Sequence, residues 1–169
     1  MKSCRKYLLL FLLFIMVASS LAAKTTEKRQ AVIDLALSCG GTPYKWGGTS
    51  RDGFDCSGFV QYVYLNAVGK KLPRTAEEML SVCKMISPSE KQPGDLIFFG
   101  SSGKISHVGI YCGKYKNHKN PDYFLNGKRV FISAMSAGDR TGVKIADIEA
   151  PYWKNHFYCY GRILPPAAK

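Results

Sequence analysis

The sequence predicts an α+β fold, with helices in the first half of the chain and a small antiparallel sheet in the second. Apolar residues recur at helical spacing in the first half. The second half contains short runs rich in β-branched and aromatic residues, which are typical of strands. In addition, Cys56 lies where a Gly- and Pro-rich loop meets an apolar helical segment, so a thiol is expected at a helix N-terminus.

The N-terminal segment has the features of a secretory signal peptide. Basic residues precede an unbroken apolar run, Tyr7–Val17, and small residues follow it up to position 23. The run is shorter than the roughly 20 residues that a membrane-spanning helix requires. We expect cleavage after Ala22 or Ala23, export to the periplasm or cell envelope, and no stable membrane insertion afterwards. Residues 24–169 then form a single domain, with a core of about residues 31–164.

Two longer helices are predicted in this domain. Apolar residues at helical spacing from position 31 onward indicate the first helix, which Gly40 and Gly41 end. After a loop at residues 42–55, the second helix begins at Cys56 and ends at Gly69. Because the second helix is apolar on nearly all sides, we expect it to be buried.

A short helix and a sheet follow. The third helix is predicted after Thr75, which has capping-box spacing to Glu78. A turn at residues 92–95 introduces the first of five predicted strands. These strands are Leu96–Phe99, Ile105–Cys112, Val130–Ala134, Gly142–Ile145 and Phe157–Leu164. The lysine-rich link between residues 114 and 129 is expected to be an exposed excursion.

The charge of the chain favours a polyanionic partner. The formal net charge is +12, from 24 basic and 12 acidic residues, and removal of a signal segment with three basic residues leaves +9. The excess is spread along the chain, and no recognition helix, zinc finger or base-stacking motif is found. We therefore expect an envelope polymer rather than a nucleic acid as the partner.

The cysteine count points to one free thiol. Of six cysteines, Cys4 would leave with the signal segment, and an odd number would remain in the exported chain. Cys56 is the candidate for the free thiol. The others form no Cys-x-x-Cys pair and have no histidine at ligand spacing, so no metal site or cofactor is predicted. They are expected to be small buried residues, with one or two disulfides left open: Cys39, Cys83, Cys112 and Cys159.

The position of Cys56 suits nucleophilic catalysis. A helix N-terminus and a nearby imidazolium favour the thiolate, which is the attacking form of cysteine. The N–H groups of the same helix turn can bind an oxyanion, and Gly58 allows another backbone to approach that turn. The alternative is that Cys56 is one more buried structural cysteine.

His107 is the candidate base, because it alone among three histidines lies in a predicted strand. Strand alternation places His107 on one face with Gly109, which would leave space beside the imidazole. Across the buried helix, His107 could then accept the proton of Cys56. The alternative is a core histidine bonded to a backbone carbonyl. His118 and His156 are expected at the surface.

Five ordered segments together resemble the NlpC-type cell-wall peptidases. They are Thr42–Gly48 (TPYKWGG), Gly53–Gln61 (GFDCSGFVQ), Pro73–Thr75 (PRT), Pro93–Leu96 (PGDL) and His107–Tyr111 (HVGIY). The resemblance implies a papain-like α+β fold, in which the nucleophile begins a helix that packs on an antiparallel sheet carrying the histidine. It also implies hydrolysis of the bond between D-γ-glutamate and a diamino acid in peptidoglycan stem peptides, without a cofactor.

The resemblance assigns roles by position. Cys56 matches the nucleophile and His107 the general base, while Tyr44 matches a residue near the oxyanion and substrate pocket. Three further positions match residues that line the substrate cleft and hold polar ends of the peptide: Asp55, Ser57 and Arg74. From the residues alone, Tyr44 and Trp46 could instead be core aromatics, and Asp55 could simply cap the helix.

One position departs from the family pattern. Relatives place a third polar residue, most often histidine, on the strand after the catalytic histidine, and Ser133 stands there in this chain. Ser133 is therefore the candidate third catalytic residue, acting through a water, unless Asn126 or another group replaces it. An enzyme weakened or inactivated by this change is the remaining alternative.

The expected function is that of an exported, monomeric cysteine endopeptidase that acts on peptidoglycan through an acyl-enzyme. Two alternatives stay open. An amidase or transpeptidase would use the same thiol and imidazole, because a fold does not determine the substrate. A murein-binding module would keep the cleft without turnover.

Overall fold

The computed structural model describes residues 2–116, 123–136 and 141–167. Its regular elements are mixed, as the sequence predicts. The helices are α1 (Lys2–Ser38), α2 (Cys56–Val68), α3 (Ala76–Ser81), α4 (Pro151–His156) and one 3-10 turn (Tyr123–Leu125). Four of the five predicted strands, and the start of the fifth, agree with the structure, whereas α4 was not predicted because six residues carry too little periodicity.

The strands form one large antiparallel sheet and one small pair. The small pair consists of β1 (Thr49–Ser50) and β2 (Gly53–Phe54). The large sheet has the order β3-β8-β4-β5-β6-β7. Its strands are β3 (Lys84–Ile86), β4 (Leu96–Ser101), β5 (Lys104–Lys114), β6 (Arg129–Met135), β7 (Gly142–Asp147) and β8 (Phe157–Arg162).

The large sheet has an apolar cluster on each face. Alternation along β5 directs Val108 and Ile110 to the face that packs on α2, where Phe59 and Val63 are fully buried. The opposite face carries a smaller cluster of aromatic residues, against which α4 packs. The sheet thus separates a helical layer from an aromatic layer.

The ends of the predicted helices are confirmed. Asp55 caps α2 by accepting from the Gly58 N–H at 2.7 Å, and Gly69 ends α2 in the left-handed conformation, with φ of 68°. Thr75 and Glu78 form the expected capping box at the start of α3. Capping is local in sequence, which is why these boundaries could be predicted.

The start of the first helix was predicted wrongly. Instead of beginning near residue 31, α1 is continuous from Lys2, and its buried contacts with the domain start at Thr25. Arg29 is 4% exposed and donates to Asp95 Oδ1 at 3.0 Å and to the Pro93 carbonyl at 2.8 Å. Residues before position 31 therefore pack against the domain. Apolar periodicity did not reveal them, because Arg29 is held by an ion pair with Asp95 and not by apolar contacts.

The earlier part of α1 differs from the rest. Its described large apolar side chains are 60% exposed or more: Tyr7, Phe11, Met16, Val17 and Leu21. Among the residues that the structure describes, none of the helices has both the length and the apolar character that a membrane span requires. The lysine-rich excursion lies partly outside the described residues, and His118 lies in that undescribed part.

Candidate active site

Cys56 is the first residue of α2, and a close backbone contact fixes the loop that leads to it. The N–H of Asp55 donates to the Gly48 carbonyl at 3.0 Å. A Cβ atom on Gly58 would lie only 2.1 Å from the same carbonyl oxygen. The predicted close approach of another backbone to this turn is therefore confirmed, and only glycine permits it.

The Cys56 thiol is partly exposed and surrounded by N–H groups. Burial, the largest influence, raises the pKa of this thiol. The N–H of Val108 lowers the pKa, the Asp55 carboxylate raises it, and the N–H groups of Ser57 and Cys56 lower it further, with a net rise. The free protein therefore holds a thiol rather than the expected preformed thiolate, because desolvation outweighs the helix N-terminus.

His107 lies on β5 with its ring in the aromatic layer. The imidazole is 6.0 Å from the Phe99 ring and 5.3 Å from the Trp153 ring, between centroids. Its Nε2 atom is buried and has no hydrogen-bond partner among the described residues. Burial lowers the pKa of His107 to about 4, so the imidazole is neutral at neutral pH. The alternative of a core histidine bonded through Nε2 to a carbonyl is not seen.

The Cys56 thiol contacts β5 at the residue next to His107. The thiol is beside the N–H of Val108, and Val108 directly follows His107. Within the described chain, no hydrogen bond links the sulfur to the imidazole. Catalytic hydrogen bonds are often long in a free enzyme and tighten when substrate binds, so the missing bond alone does not exclude the predicted proton transfer.

Gly109 has a different role from the one expected. The space beside it is filled by Phe131, whose ring would be 2.6 Å from a Cβ atom at this position. Gly109 therefore lets Phe131 reach the aromatic layer, in which Phe131 and Phe99 are 4.8 Å apart between ring centroids. It supports the imidazole through that packing and not by leaving empty space.

Ser133 is fully buried, but its hydroxyl is engaged away from the imidazole. It donates to the Val108 carbonyl at 2.6 Å. Since Nε2 of His107 has no hydrogen-bond partner among the described residues, neither Ser133 nor Asn126 orients the imidazole through that nitrogen. The water-mediated role predicted for Ser133 therefore stays a prediction.

Asp55, Ser57 and Arg74 form one hydrogen-bonded network beside the thiol. Arg74 Nη1 donates to Asp55 Oδ1 at 3.0 Å and to Ser57 Oγ at 2.8 Å, and Arg74 Nη2 pairs with Asp55 Oδ2. Asp55 also accepts from the Gly47 N–H at 2.9 Å. Burial raises the pKa of Asp55, but hydrogen bonds from Arg74 and Gly58 outweigh it and lower the pKa. Both predictions for Asp55, cap and cleft residue, describe this one carboxylate.

The network differs in exposure from one residue to the next. Asp55 and Ser57 are buried, whereas the Arg74 side chain is 39% exposed. Arg74 is therefore the member that can reach a bound peptide directly, while Asp55 and Ser57 fix its guanidinium.

Tyr44 and Trp46 have different environments. Tyr44 forms a β-bridge with Phe54, two residues before Cys56, and burial, then the nearby Cys56 and Asp55, raise the pKa of its hydroxyl. Trp46 is 86% exposed, so its alternative as a core aromatic is wrong. The predicted site residues Tyr44, Asp55, Ser57 and Arg74 are therefore brought together around Cys56.

Sequence reasoning missed the aromatic layer around the imidazole. No role was predicted for Trp153, yet its indole contacts both His107 and Phe131. The sequence signal for α4 was Pro151, because proline is favoured in the first turn of a helix. The aromatic pair Tyr152 and Trp153 follows it on that helix. His156, expected at the surface, is half-buried and its Nδ1 bonds to the Tyr152 carbonyl at 2.7 Å.

The described cysteines are all free. They are Cys39, Cys56, Cys83, Cys112 and Cys159. In the described part of the chain, no group of three or more His, Cys, Asp or Glu residues could hold a metal ion.

Comparison with known proteins relates this site to characterised relatives. The chain is 40% identical over 138 residues to the bifunctional muramidase/DL-endopeptidase CwlT of Bacillus subtilis, covering 79% of this chain and 36% of that protein. It is 35% identical over 155 residues to the murein DD-endopeptidase MepH of Escherichia coli, covering 89% and 51%. The chain thus spans at most about half the length of these two curated relatives.

A solved structure shows the same fold. RipD of Mycobacterium tuberculosis, described as a non-catalytic NlpC/p60 domain protein adapted to peptidoglycan binding, matches with a TM-score of 0.59 and 28% identity, over 81% of this chain and 98% of RipD. The fold is thus the papain-like one that the sequence predicts. Residues 41–162, most of the chain, match the profile of the NlpC/P60 family. The chain therefore belongs to the NlpC/P60 family of cysteine-type peptidases.

Proposed function

We propose that this protein is an exported cysteine endopeptidase that cleaves the peptide stems of peptidoglycan through an acyl-enzyme on Cys56. The observation that carries the proposal is the position of the Cys56 thiol at the start of α2, among N–H groups and beside the strand that bears His107. Family membership and the net positive charge of the chain support a peptidoglycan substrate.

The reaction begins from a neutral pair. As the substrate carbonyl binds, His107 takes the proton of the Cys56 thiol, and the sulfur attacks the carbonyl carbon. The N–H groups at the start of α2 bind the oxyanion of the tetrahedral intermediate. The imidazolium then protonates the leaving amine as the C–N bond breaks, and His107 afterwards activates the water that hydrolyses the thioester.

The bond between D-γ-glutamate and the diamino acid is our proposed scissile bond. A γ-linked glutamate keeps a free α-carboxylate, and the exposed guanidinium of Arg74 could bind such a group with N–H donors not used by Asp55 and Ser57. CwlT, the relative at 40% identity, is named as a DL-endopeptidase, which supports this bond. MepH is named as a DD-endopeptidase, so a D,D cross-link is the competing bond.

Export belongs to the proposal as well. The apolar N-terminal part of α1 leaves its described side chains exposed, whereas burial begins at Thr25, just after the proposed cleavage site. Removal of residues 1–23 would therefore leave the buried contacts of α1 intact. The proposed enzyme acts as a monomer in the periplasm or cell envelope.

Product analysis tests the function. Purified muropeptides are incubated with residues 24–169 and with the Cys56→Ala variant, and the products are identified by mass spectrometry. We expect a new amine on the diamino acid, formed only by the unmutated protein. Release of a whole stem from the sugar would indicate an amidase, and a newly joined stem would indicate a transpeptidase; either outcome would contradict the endopeptidase proposal.

A second candidate is a peptidoglycan-binding module without turnover. The orphaned Nε2 of His107 and the missing Cys56–His107 hydrogen bond favour it, and RipD, described as non-catalytic, has the same fold. Sedimentation with insoluble peptidoglycan distinguishes the two candidates. Tight binding by both proteins, with no product from any stem length, would replace the enzyme by the binding module.

A further inference from the structure

His107 lacks the hydrogen bond that would normally fix the orientation of a catalytic imidazole. Its Nε2 is buried without a partner in the described chain, and the hydroxyl of Ser133, the predicted third residue, donates to the Val108 carbonyl instead. An imidazole that must exchange protons through one nitrogen needs a defined ring orientation. Some other group must therefore restrict this ring.

The ring is restricted by aromatic packing. The indole of Trp153 is 5.3 Å from the imidazole centroid, with 30° between the ring planes, and Phe99 is 6.0 Å away. Three rings hold the indole in turn: Phe99 at 4.8 Å, Phe131 at 4.9 Å and Tyr152 at 4.9 Å, between centroids. Two of these contacts are edge-on, at 83° and 86°, which is a favoured geometry for aromatic pairs.

The local sequence explains why the indole is there. Pro151 presets the backbone of the first turn of α4, and the Lys154 N–H donates to the Ala150 carbonyl at 2.9 Å. The short helix packs against β4, next to the strand that carries His107. Trp153 is partly buried, so it also limits access of water to the enclosed side of the imidazole.

We propose that Trp153 is the positioning residue for His107 and replaces the polar third residue that other catalytic imidazoles use. The inference deepens the function proposed above and rests on it. Trp153 acts in two ways: its packing restricts the orientation of the neutral ring, and its π-system stabilises the imidazolium formed during proton transfer. A cation within about 6 Å of an indole centroid is attracted to the ring face.

The surroundings of His107 define the expected pH dependence. The rings that pack on the His107 imidazole are Phe99 from β4 and Trp153 from α4, and Phe131 from β6 packs in turn on both of them. The nearby charged residue of α4, Lys154, pairs with Glu149, and His156 stacks on Tyr152. Burial is the only named influence on the His107 pKa, which it lowers to about 4.

The test compares three substitutions in residues 24–169. Trp153→Leu removes the aromatic ring, Trp153→Phe keeps one, and Tyr158→Leu is the matched control, because Tyr158 is 44% exposed on β8 and makes no ring contact with His107 or Trp153 in the described chain. Three quantities are measured: kcat and KM for muropeptide cleavage, the pH dependence of Cys56 alkylation by iodoacetamide, and the His107 titration by NMR.

We expect Trp153→Leu to lower kcat about 10- to 100-fold, as misplacement of a catalytic group does, with KM changed less than about threefold. Its His107 pKa should rise from about 4 toward the ordinary value of 6.5, because hydration of the opened ring outweighs the lost attraction between the imidazolium and the indole. The midpoint of the acid limb of the pH–rate profile should shift to higher pH by the same amount. Trp153→Phe should recover most of kcat, and Tyr158→Leu should match the unmutated protein.

The outcomes separate this inference from the proposed function. If the unmutated protein cleaves muropeptides and Trp153→Leu retains its kcat and its His107 titration, Trp153 does not position the base. If no protein cleaves, the proposed function fails, while alkylation and NMR still decide the role of Trp153. If Trp153→Leu does not fold, Trp153→Met takes its place. A kcat of Trp153→Met equal to that of Trp153→Phe would then overturn the inference.

Discussion

Single residues decide the chemistry of this site, and Asp55 illustrates how one side chain serves several purposes. Its carboxylate caps α2, holds the Gly47 N–H and pairs with Arg74. It also raises the pKa of the Cys56 thiol that follows it. The sequence predicted the cap and the cleft separately, because each follows from a local pattern. That the two roles belong to one hydrogen-bonded network is visible only in the folded chain, where Arg74 lies beside Asp55.

The ion pair of Asp55 predicts a pH-dependent stability. Because hydrogen bonds lower its folded pKa below the ordinary 3.8, the stabilisation is complete above 3.8 and is lost as the pH falls through the lowered value. Asp55→Asn keeps a good capping residue but removes the charge, so we expect a loss of about 1 kcal/mol at pH 7. Urea unfolding on both sides of pH 3.8 measures this difference, which should shrink in acid. An equal difference at every pH would contradict the account.

Ser133 provides a second prediction at the residue scale. Since its hydroxyl donates to the Val108 carbonyl, Ser133→Ala should leave kcat within about threefold and cost about 1 kcal/mol of stability, through one lost buried hydrogen bond. Muropeptide kinetics and urea unfolding measure the two effects. A kcat reduced a hundredfold or more in a folded Ser133→Ala variant would show that Ser133 orients His107 after all.

At the scale of elements, the helix α2 and its preceding loop form the rigid frame of the thiol. The closest contact in this frame joins Gly58 to the Gly48 carbonyl. A Cβ atom on Gly48 would likewise lie 2.3 Å from the Gly53 carbonyl oxygen. Three glycines thus allow loop and helix to approach so closely that the loop supplies partners to Asp55.

A pair of glycine substitutions on α2 tests this frame. Gly58→Ala should destabilise the protein by about 1–3 kcal/mol and reduce kcat strongly, because backbone must move at the thiol. Gly69→Ala is the matched control at the other end of the helix, where φ is 68° and no atom lies near; we expect about 1 kcal/mol and an unchanged kcat. Thermal unfolding and kinetics check both. Equal kcat values for the two variants would refute a role of the Gly58 contact in the site.

Elements differed in how well the sequence predicted them. The strands from Leu96 onward and the helices α2 and α3 carry either clear alternation or clear caps, so they were found. The missed β1, β2 and β3 have two or three residues each, which is too short for a period to be recognised. Trp153 was missed because its value depends on α4 folding back onto β4, a contact that no local pattern encodes.

At the scale of the whole molecule, a buried ionic cluster joins the N-terminal helix to the sheet and the C-terminal segment. Asp95 is fully buried between Arg29 of α1 and Arg162 of β8. Arg29 also donates to the Leu164 carbonyl at 3.0 Å. Asp95 is thus held by two guanidinium groups, and removal of Arg29 leaves its buried carboxylate with Arg162 as its one remaining ion-pair partner in the described chain.

This cluster predicts where the chain can be shortened. Residues 24–169 retain Arg29 and should fold with the full stability of the domain. Residues 31–169, which correspond to the core boundary expected from periodicity, lack Arg29 and should lose about 3–5 kcal/mol. Arg29→Met in the longer chain is the control that removes the charge but keeps α1, and it should show a similar loss. Urea unfolding measures all three; equal stability of the two lengths would contradict the role of the cluster.

The central claim, that Cys56 forms an acyl-enzyme, is tested most directly by intact-protein mass spectrometry. Residues 24–169 are mixed with a muropeptide, quenched in acid within milliseconds to seconds, and mapped by peptide digestion. We predict an adduct on Cys56 that has the mass of the acyl fragment, which is the part of the stem that carries the carbonyl of the cleaved bond. This adduct should be absent from Cys56→Ala. An adduct on another residue, or cleavage that continues unchanged in Cys56→Ala, would contradict the account.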